Sequence, residues 1–202
     1  KKKKICVFIG SRANYSSIKS ALAAIQEHSG LELKIILGSS ALVKKYGNME
    51  KILNEDGFQV EERIQMLVEG DVPGVMVKTA ALGMLGLSDA FDRMKPDYVV
   101  VIGDRYEVIA PTITAAYMNI PVAHTMGGEV TGTIDESVRH AITKFAHIHF
   151  PANKESGERI IKMGEEESRV FVVGCPRIDT VKGIIDRAPD VPEEIFKKCG
   201  GV

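Results

Sequence analysis

The chain has 202 residues, 45% of them hydrophobic, enough to bury one full domain and begin a second. Lysine and arginine (26) nearly balance aspartate and glutamate (27), so the net charge of −1 supplies no field for gripping a nucleic-acid backbone or an anionic membrane, and neither partner is expected. The three cysteines, Cys6, Cys175 and Cys199, lack CxxC or histidine-rich spacing, which argues against a disulfide framework and against a zinc site.

The chain opens on Lys1 to Lys4, read as a solubilising edge before a buried strand. The apolar stretch behind it, Ile5 to Ile9, is broken by Gly10-Ser11-Arg12 and is too short for the core of a signal peptide. No window is expected to reach the roughly 18 apolar residues of a membrane span, and a cytoplasmic location fits best. Short β-branched runs then alternate with longer stretches of helical period, the pattern of βαβ units in a parallel sheet. Strands are predicted at Lys4–Ile9 (with Cys6 in the core), Glu32–Leu37, Gln59–Ile64, Tyr98–Ile102, Pro121–His124, His147–Phe150 and Val170–Val173. Helices are predicted at Tyr15–His28, Leu42–Asp56, Val75–Met94, Glu107–Met118, Asp135–Ala146, Lys154–Met163 and Asp179–Arg187. Tyr98-Val99-Val100-Val101-Ile102 is apolar without alternation, as expected of a central strand covered on both faces. The fold class is therefore α/β, a doubly wound, Rossmann-like parallel sheet over residues 1–173. Residues 174–202, from Gly174-Cys175-Pro176, read as a hinge and the start of a second domain. Ala188-Pro189-Asp190-Val191-Pro192 and the final Gly200-Gly201-Val202 make a poor domain end, so the chain is expected to stop short of that domain's completion.

Open α/β sheets bind ligands beyond the carboxyl ends of their strands, so the chemistry is sought there. After the first strand, Gly10-Ser11-Arg12-Ala13-Asn14-Tyr15 opens a helix, and Arg12 offers a planar, permanently charged fork suited to phosphate. After the central strand stands Gly103-Asp104-Arg105-Tyr106-Glu107. Asp104 there either faces the crevice as a proton-transfer group or caps the next helix, and the two roles are compatible. The richest stretch runs from His124 through Gly127, Gly128, Glu129, Gly132 and Asp135 to His140. Its glycines allow close backbone approach to a ligand. In the helix that follows, Ile134, Val138, Ile142 and Phe145 share a core-facing stripe, leaving Asp135 with Arg139, and Glu136 with His140, as i,i+4 pairs on the polar side. His147 and His149 alternate in a strand and read as structural.

At these residues the sequence resembles the hydrolysing UDP-N-acetylglucosamine 2-epimerases of sialic and legionaminic acid biosynthesis. The matching stretches are Ser11-Arg12-Ala13 with Tyr15, Tyr46-Gly47-Asn48, Lys95-Pro96-Asp97, Gly103-Asp104-Arg105, Gly127-Gly128-Glu129-Val130 with Gly132-Thr133-Ile134-Asp135, Arg139-His140-Ala141-Ile142-Thr143-Lys144 and Gly174-Cys175-Pro176. The resemblance implies the N-terminal domain of a GT-B-type two-domain enzyme, inactive without its other half, that eliminates UDP to a glycal and adds water with inversion at C2. It implies a UDP-sugar partner, a homo-oligomer, and no metal or redox cofactor. Carried over by position, Asp104, Asp135 and Glu129 are catalytic candidates. Arg12, Arg105, His124, Gly127, Gly128, Glu136, Ser137, Arg139 and His140 are substrate-binding candidates. The chain departs from the family pattern at Asn14, Ala41 and Met126, where many members carry an acidic residue, a histidine and a glutamate. Those departures also fit a different sugar, such as a 2,4-diacetamido-trideoxy hexose, or a noncatalytic sugar-nucleotide binding module.

Overall fold

The computed structural model describes residues 1–185. Six strands, β1 (Lys3–Ile9), β2 (Leu31–Gly38), β3 (Val60–Ile64), β4 (Tyr98–Ile102), β5 (Val122–Thr125) and β6 (Ile148–Phe150), form one all-parallel sheet in the order β3-β2-β1-β4-β5-β6. Eight helices connect and flank them: α1 (Arg12–Ser16), α2 (Lys19–Glu27), α3 (Met49–Glu55), α4 (Gly74–Met94), α5 (Ile109–Tyr117), α6 (Ile134–Phe145), α7 (Lys154–Lys162) and α8 (Pro176–Ile185). The pleat explains why the inner strands read as continuous apolar runs. In β1, Cys6 and Phe8 join Val99 and Val101 of β4 beneath α4, α5 and α6, while Val7 and Ile9 join Val100 and Ile102 beneath α1, α2 and α3. Alternate residues serve opposite cores, and every one of these side chains is buried. The order reverses between β1 and β4, so the crevice of a doubly wound sheet lies between the loops that follow those two strands.

Several predicted elements change in detail. The helix expected over Tyr15–His28 is two, because the hydroxyls of Ser16 and Ser17 both take the Ala13 carbonyl (3.0 and 2.9 Å) and end α1. The helix expected from Leu42 is replaced at first by single 3-10 turns at Ser39–Leu42 and Lys44–Tyr46. Gly47, at φ 105°, breaks the chain, and Asn48 caps α3 by accepting from the Lys51 N–H at 3.0 Å. Glu107 lies in a 3-10 turn, Tyr106–Val108, ahead of α5. The seventh strand, Val170–Val173, does not form as a ladder. One bridge joins Val170 to His149, and Phe171 and Val173 donate to His149 and Pro151 carbonyls (2.8 and 3.2 Å). The three-residue β6 offers it little to pair with, and Phe171, Val172 and Val173 are left 49%, 52% and 59% exposed. On α6, Ile134 stands 62% exposed while Arg139 is buried. The expectation that no stretch is apolar enough for a membrane span is also corrected: α4, 21 residues long with a mean hydropathy of 1.2 over 18, qualifies by length and composition. The predicted helix end at Arg187, the 188–192 stretch, Cys199 and the final glycines lie outside the described residues.

Candidate functional site

The β1 loop is tied to β4 across the crevice by one amide. Asn14 accepts from the Gly10 N–H (3.1 Å) through Oδ1 and donates to the Ile102 carbonyl (3.4 Å) through Nδ2. A carboxylate would supply only the first of these bonds, so asparagine is the residue that closes this junction. Ala41 donates its N–H to the Gly10 carbonyl (3.0 Å) from the other side. Glu107 lies beneath Gly10, fully buried, with Oε1 accepting from Arg105 Nε (2.6 Å) and Oε2 without a partner among the described residues. Arg105 itself is part-exposed at the rim, within the field of Asp135.

Gly103, at φ 71°, turns the chain at the end of β4 and presents Asp104. Asp104 does not cap a helix. It receives Nη2 of Arg139 from α6, while Nη1 of the same guanidinium donates to the Glu129 carbonyl at 2.7 Å. Arg139 is 2% exposed and its Nε has no partner among the described residues, whereas the Asp104 side chain keeps 26% exposure. Each of the i,i+4 pairs expected on α6 gives way to other partners. Arg139 serves Asp104 instead of Asp135. Glu136 accepts from the Thr131 and Gly132 N–H groups (both 2.8 Å), which hold its carboxyl below the usual range. Ser137 is exposed, and Nδ1 of His140 is buried without a partner among the described residues.

His124 reaches the same structure from below. It is wholly buried, with Nε2 bonded to the Gly103 carbonyl (2.8 Å) and Nδ1 near the Thr143 hydroxyl (3.3 Å), and Thr143 in turn donates to the Arg139 carbonyl (3.0 Å). Burial pushes its pKa down to about 4, so the ring is neutral and orients Gly103 through a hydrogen bond. The loop glycines have a similar internal reason. A Cβ on Gly127 would meet the His124 ring at 2.9 Å, and one on Gly128 would fall on the Ser156 carbonyl of α7. Only Gly132, at φ 70°, stands in open space. Arg159 of α7 clamps the loop by donating to the Gly128 carbonyl. Neither Glu107 nor Arg159 was singled out in the sequence, since a helix-surface arginine and a glutamate after a strand carry no local mark of what they will touch.

Arg139 thus joins Asp104 to the Glu129 backbone beyond the carboxyl ends of β4 and β5, with Arg105 in the field of Asp135 and Glu136 tied to the Thr131 and Gly132 backbone. Arg12 opens α1 at the same sheet edge, exposed, but lines a shallow cavity of about 510 Å³ with Ser16, Arg177 and Thr180, and no hydrogen bond joins it to Asp104 or Asp135. Chemically, the cluster offers carboxylates from two elements beside fixed guanidinium charge, the groups a proton transfer next to an anionic leaving group requires.

Comparison with known proteins gives one answer. The family described as UDP-N-acetylglucosamine 2-epimerase matches residues 23–199. The chain is 36% identical over 179 residues to the UDP-N,N'-diacetylbacillosamine 2-epimerase (hydrolyzing) of Legionella pneumophila, covering 89% of this chain and 48% of that protein. It is 32% identical over 179 residues to the UDP-N-acetylglucosamine 2-epimerase of Neisseria meningitidis, covering 89% and 47%. Among solved structures, a UDP-N-acetylglucosamine 2-epimerase superposes with a TM-score of 0.83 at 19% identity, over 95% of this chain and 53% of the other, which bears on the fold. The chain spans about half the length of the curated relatives it matches.

Proposed function

The chain belongs to the UDP-N-acetylglucosamine 2-epimerase family, and from that premise we propose that it supplies the catalytic rim of a hydrolysing sugar-nucleotide 2-epimerase whose whole is about twice this length. The observation that carries the reading is the pairing of Asp104, just after β4, with the buried Arg139 of α6, beside an Arg105 that lies within the field of Asp135. In the proposed reaction a carboxylate removes the proton at C2, the C1–O bond breaks, and UDP leaves with the bonding pair, giving a C1–C2 glycal. Water then adds its hydroxyl at C1, and C2 is reprotonated on the opposite face. Inversion needs groups on both faces of the sugar, which two carboxylates from different elements provide. Arg105 and Arg12 are the cations available to the departing diphosphate, acting where charge develops. Met126 cannot transfer a proton, so Glu129 is assigned the remaining acid–base task.

The sugar is proposed to be a UDP-linked 2-acetamido hexose. The 36% identity to diacetylbacillosamine epimerases favours a 2,4-diacetamido-trideoxy sugar as the second reading. The test is to incubate the polypeptide carrying both halves with UDP-N-acetylglucosamine and with UDP-N,N'-diacetylbacillosamine, following products by NMR. Release of UDP with the 2-epimeric free sugar from either supports the proposal and names the sugar. Binding of both without turnover would leave a sugar-nucleotide binding module and overturn it.

A further inference from the structure

Behind the rim lies a carboxylate that the proposed chemistry leaves without a task. Glu107 is fully buried, in the 3-10 turn Tyr106–Val108 that follows the β4 edge. Its Oε1 accepts from Arg105 Nε at 2.6 Å, and its Oε2 has no partner among the described residues. Replacing a buried ion pair by apolar side chains of similar size is often neutral or stabilising, and an oxygen left unpaired in the interior adds a further cost. Packing alone therefore does not account for a carboxylate at this place.

The loop after β1 closes over it. A Cβ on Gly10 would come within 3.1 Å of Glu107 Cγ, so that loop rests directly on the side chain. The loop is fixed in its turn, because Gly10 donates its N–H to Asn14 (3.1 Å) and Asn14 donates to the Ile102 carbonyl of β4. Glu107 is thus a charge held in place from above, seated where the strand order reverses between β1 and β4.

Arg105 is the opposite case. Its side chain is 45% exposed, and among the described residues its guanidinium makes no hydrogen bond except the one through Nε. Nη1 and Nη2, which carry the remaining donors, are left unspent. An arginine without an anchor samples many rotamers and is drawn toward Asp135, whose field already reaches it. Fastened by Nε, the guanidinium keeps its outer edge in one orientation, and that edge matches two oxygens of a phosphate side by side. We infer that Glu107 is a positioning residue, which holds Arg105 through Nε so that the Nη edge meets a diphosphate at the rim. The inference rests on the reading of that rim as a sugar-nucleotide site.

Calorimetric titration of UDP, and of uridine, which lacks the diphosphate, into the polypeptide carrying both halves tests this. Glu107→Gln and Arg105→Gln are each expected to weaken UDP about tenfold and to leave uridine unchanged. The double variant E107Q/R105Q is expected to bind UDP within about twofold of Arg105→Gln alone, since Glu107 acts only through Arg105. A purely structural Glu107 would weaken both ligands alike and add its loss to that of Arg105→Gln. Thermal midpoints without ligand check that the variants fold. Glu107→Asp keeps a carboxylate but draws it back by one methylene, and it is read in the same way where Glu107→Gln does not fold. Unchanged UDP affinity in a folded Glu107 variant, additive losses in the double, or a wild type that does not bind UDP would overturn the inference. A wild type that binds UDP with the expected coupling yet turns over neither UDP-sugar would overturn the epimerase reading and leave this inference standing.

Discussion

Arg139 is the largest fully buried side chain among the described residues, and its guanidinium donates to the carboxylate of Asp104, 35 residues earlier in the chain. With its second bond, to the Glu129 carbonyl, this residue joins the β4 edge, the glycine loop and α6 into one unit. This one buried group is part of what holds the polar cluster at that sheet edge together.

The two ends of this pair are unequal in exposure, and their removal should be unequal in cost. Asp104→Ala strands a buried cation and is expected to destabilise by about 3 to 5 kcal/mol. Arg139→Met frees a carboxylate that is already 26% exposed and can be hydrated, so it should cost less. Urea unfolding of both singles and the double gives the coupling. A double variant as unstable as the sum of the singles would mean that the two do not interact.

Stability should fall as the solution is acidified through the histidine range. His124 has a folded-state pKa near 4, against an ordinary 6.5. Above 6.5 both states are neutral and the contribution is complete. Below it the unfolded chain takes up a proton that the folded chain refuses until about pH 4, so stability declines across that window, by roughly 3 kcal/mol in all. His149, also held below its usual value chiefly by burial, acts in the same direction. Unfolding free energy measured from pH 7.5 to 4 should lose part of its slope in His124→Gln, and an identical slope would remove His124 as the source.

The loop glycines separate into two kinds. Gly128→Ala meets the Ser156 carbonyl as well as a φ of 78°, and should cost well over about 2 kcal/mol. Gly132→Ala meets only its φ of 70°, a cost of about 1 kcal/mol. Thermal unfolding of both should show the larger fall for Gly128→Ala.

Asn14→Asp restores the acidic residue many family members carry, yet here it removes the donor to Ile102 and brings a second carboxylate beside the buried Glu107. A loss of about 1 to 3 kcal/mol is expected, read from denaturant unfolding at neutral pH. A gain in stability would show that the amide bridge does not hold the crevice.

What could be read in the chain was whatever neighbouring residues settle among themselves. Tyr98 to Ile102 announces a doubly covered strand because both pleat faces need apolar side chains. The places where strands run into Gly10, Gly103 and the 127–132 loop marked the rim. Where local spacing was trusted for side-chain partners it misled: Asp135 and Arg139 are one helical turn apart, but Arg139 bonds Asp104 in the loop after β4. Likewise the predicted first helix is divided where the Ser16 and Ser17 hydroxyls turn back onto the Ala13 carbonyl.

The sequence by itself determined the alternation of strands and helices, the parallel sheet and the edge at which polar groups collect, since hydrophobic period and turn residues act over a few positions. Only the tertiary structure decided the work of each group: that His124 is a neutral prop under Gly103, that Gly128 makes room for α7, that Glu107 is buried beneath the first loop, and that one side of α4 is left uncovered. Those outcomes depend on which atoms arrive from distant segments, and burial, hydrogen-bond partners and charge neighbours exist only once the sheet has brought them together.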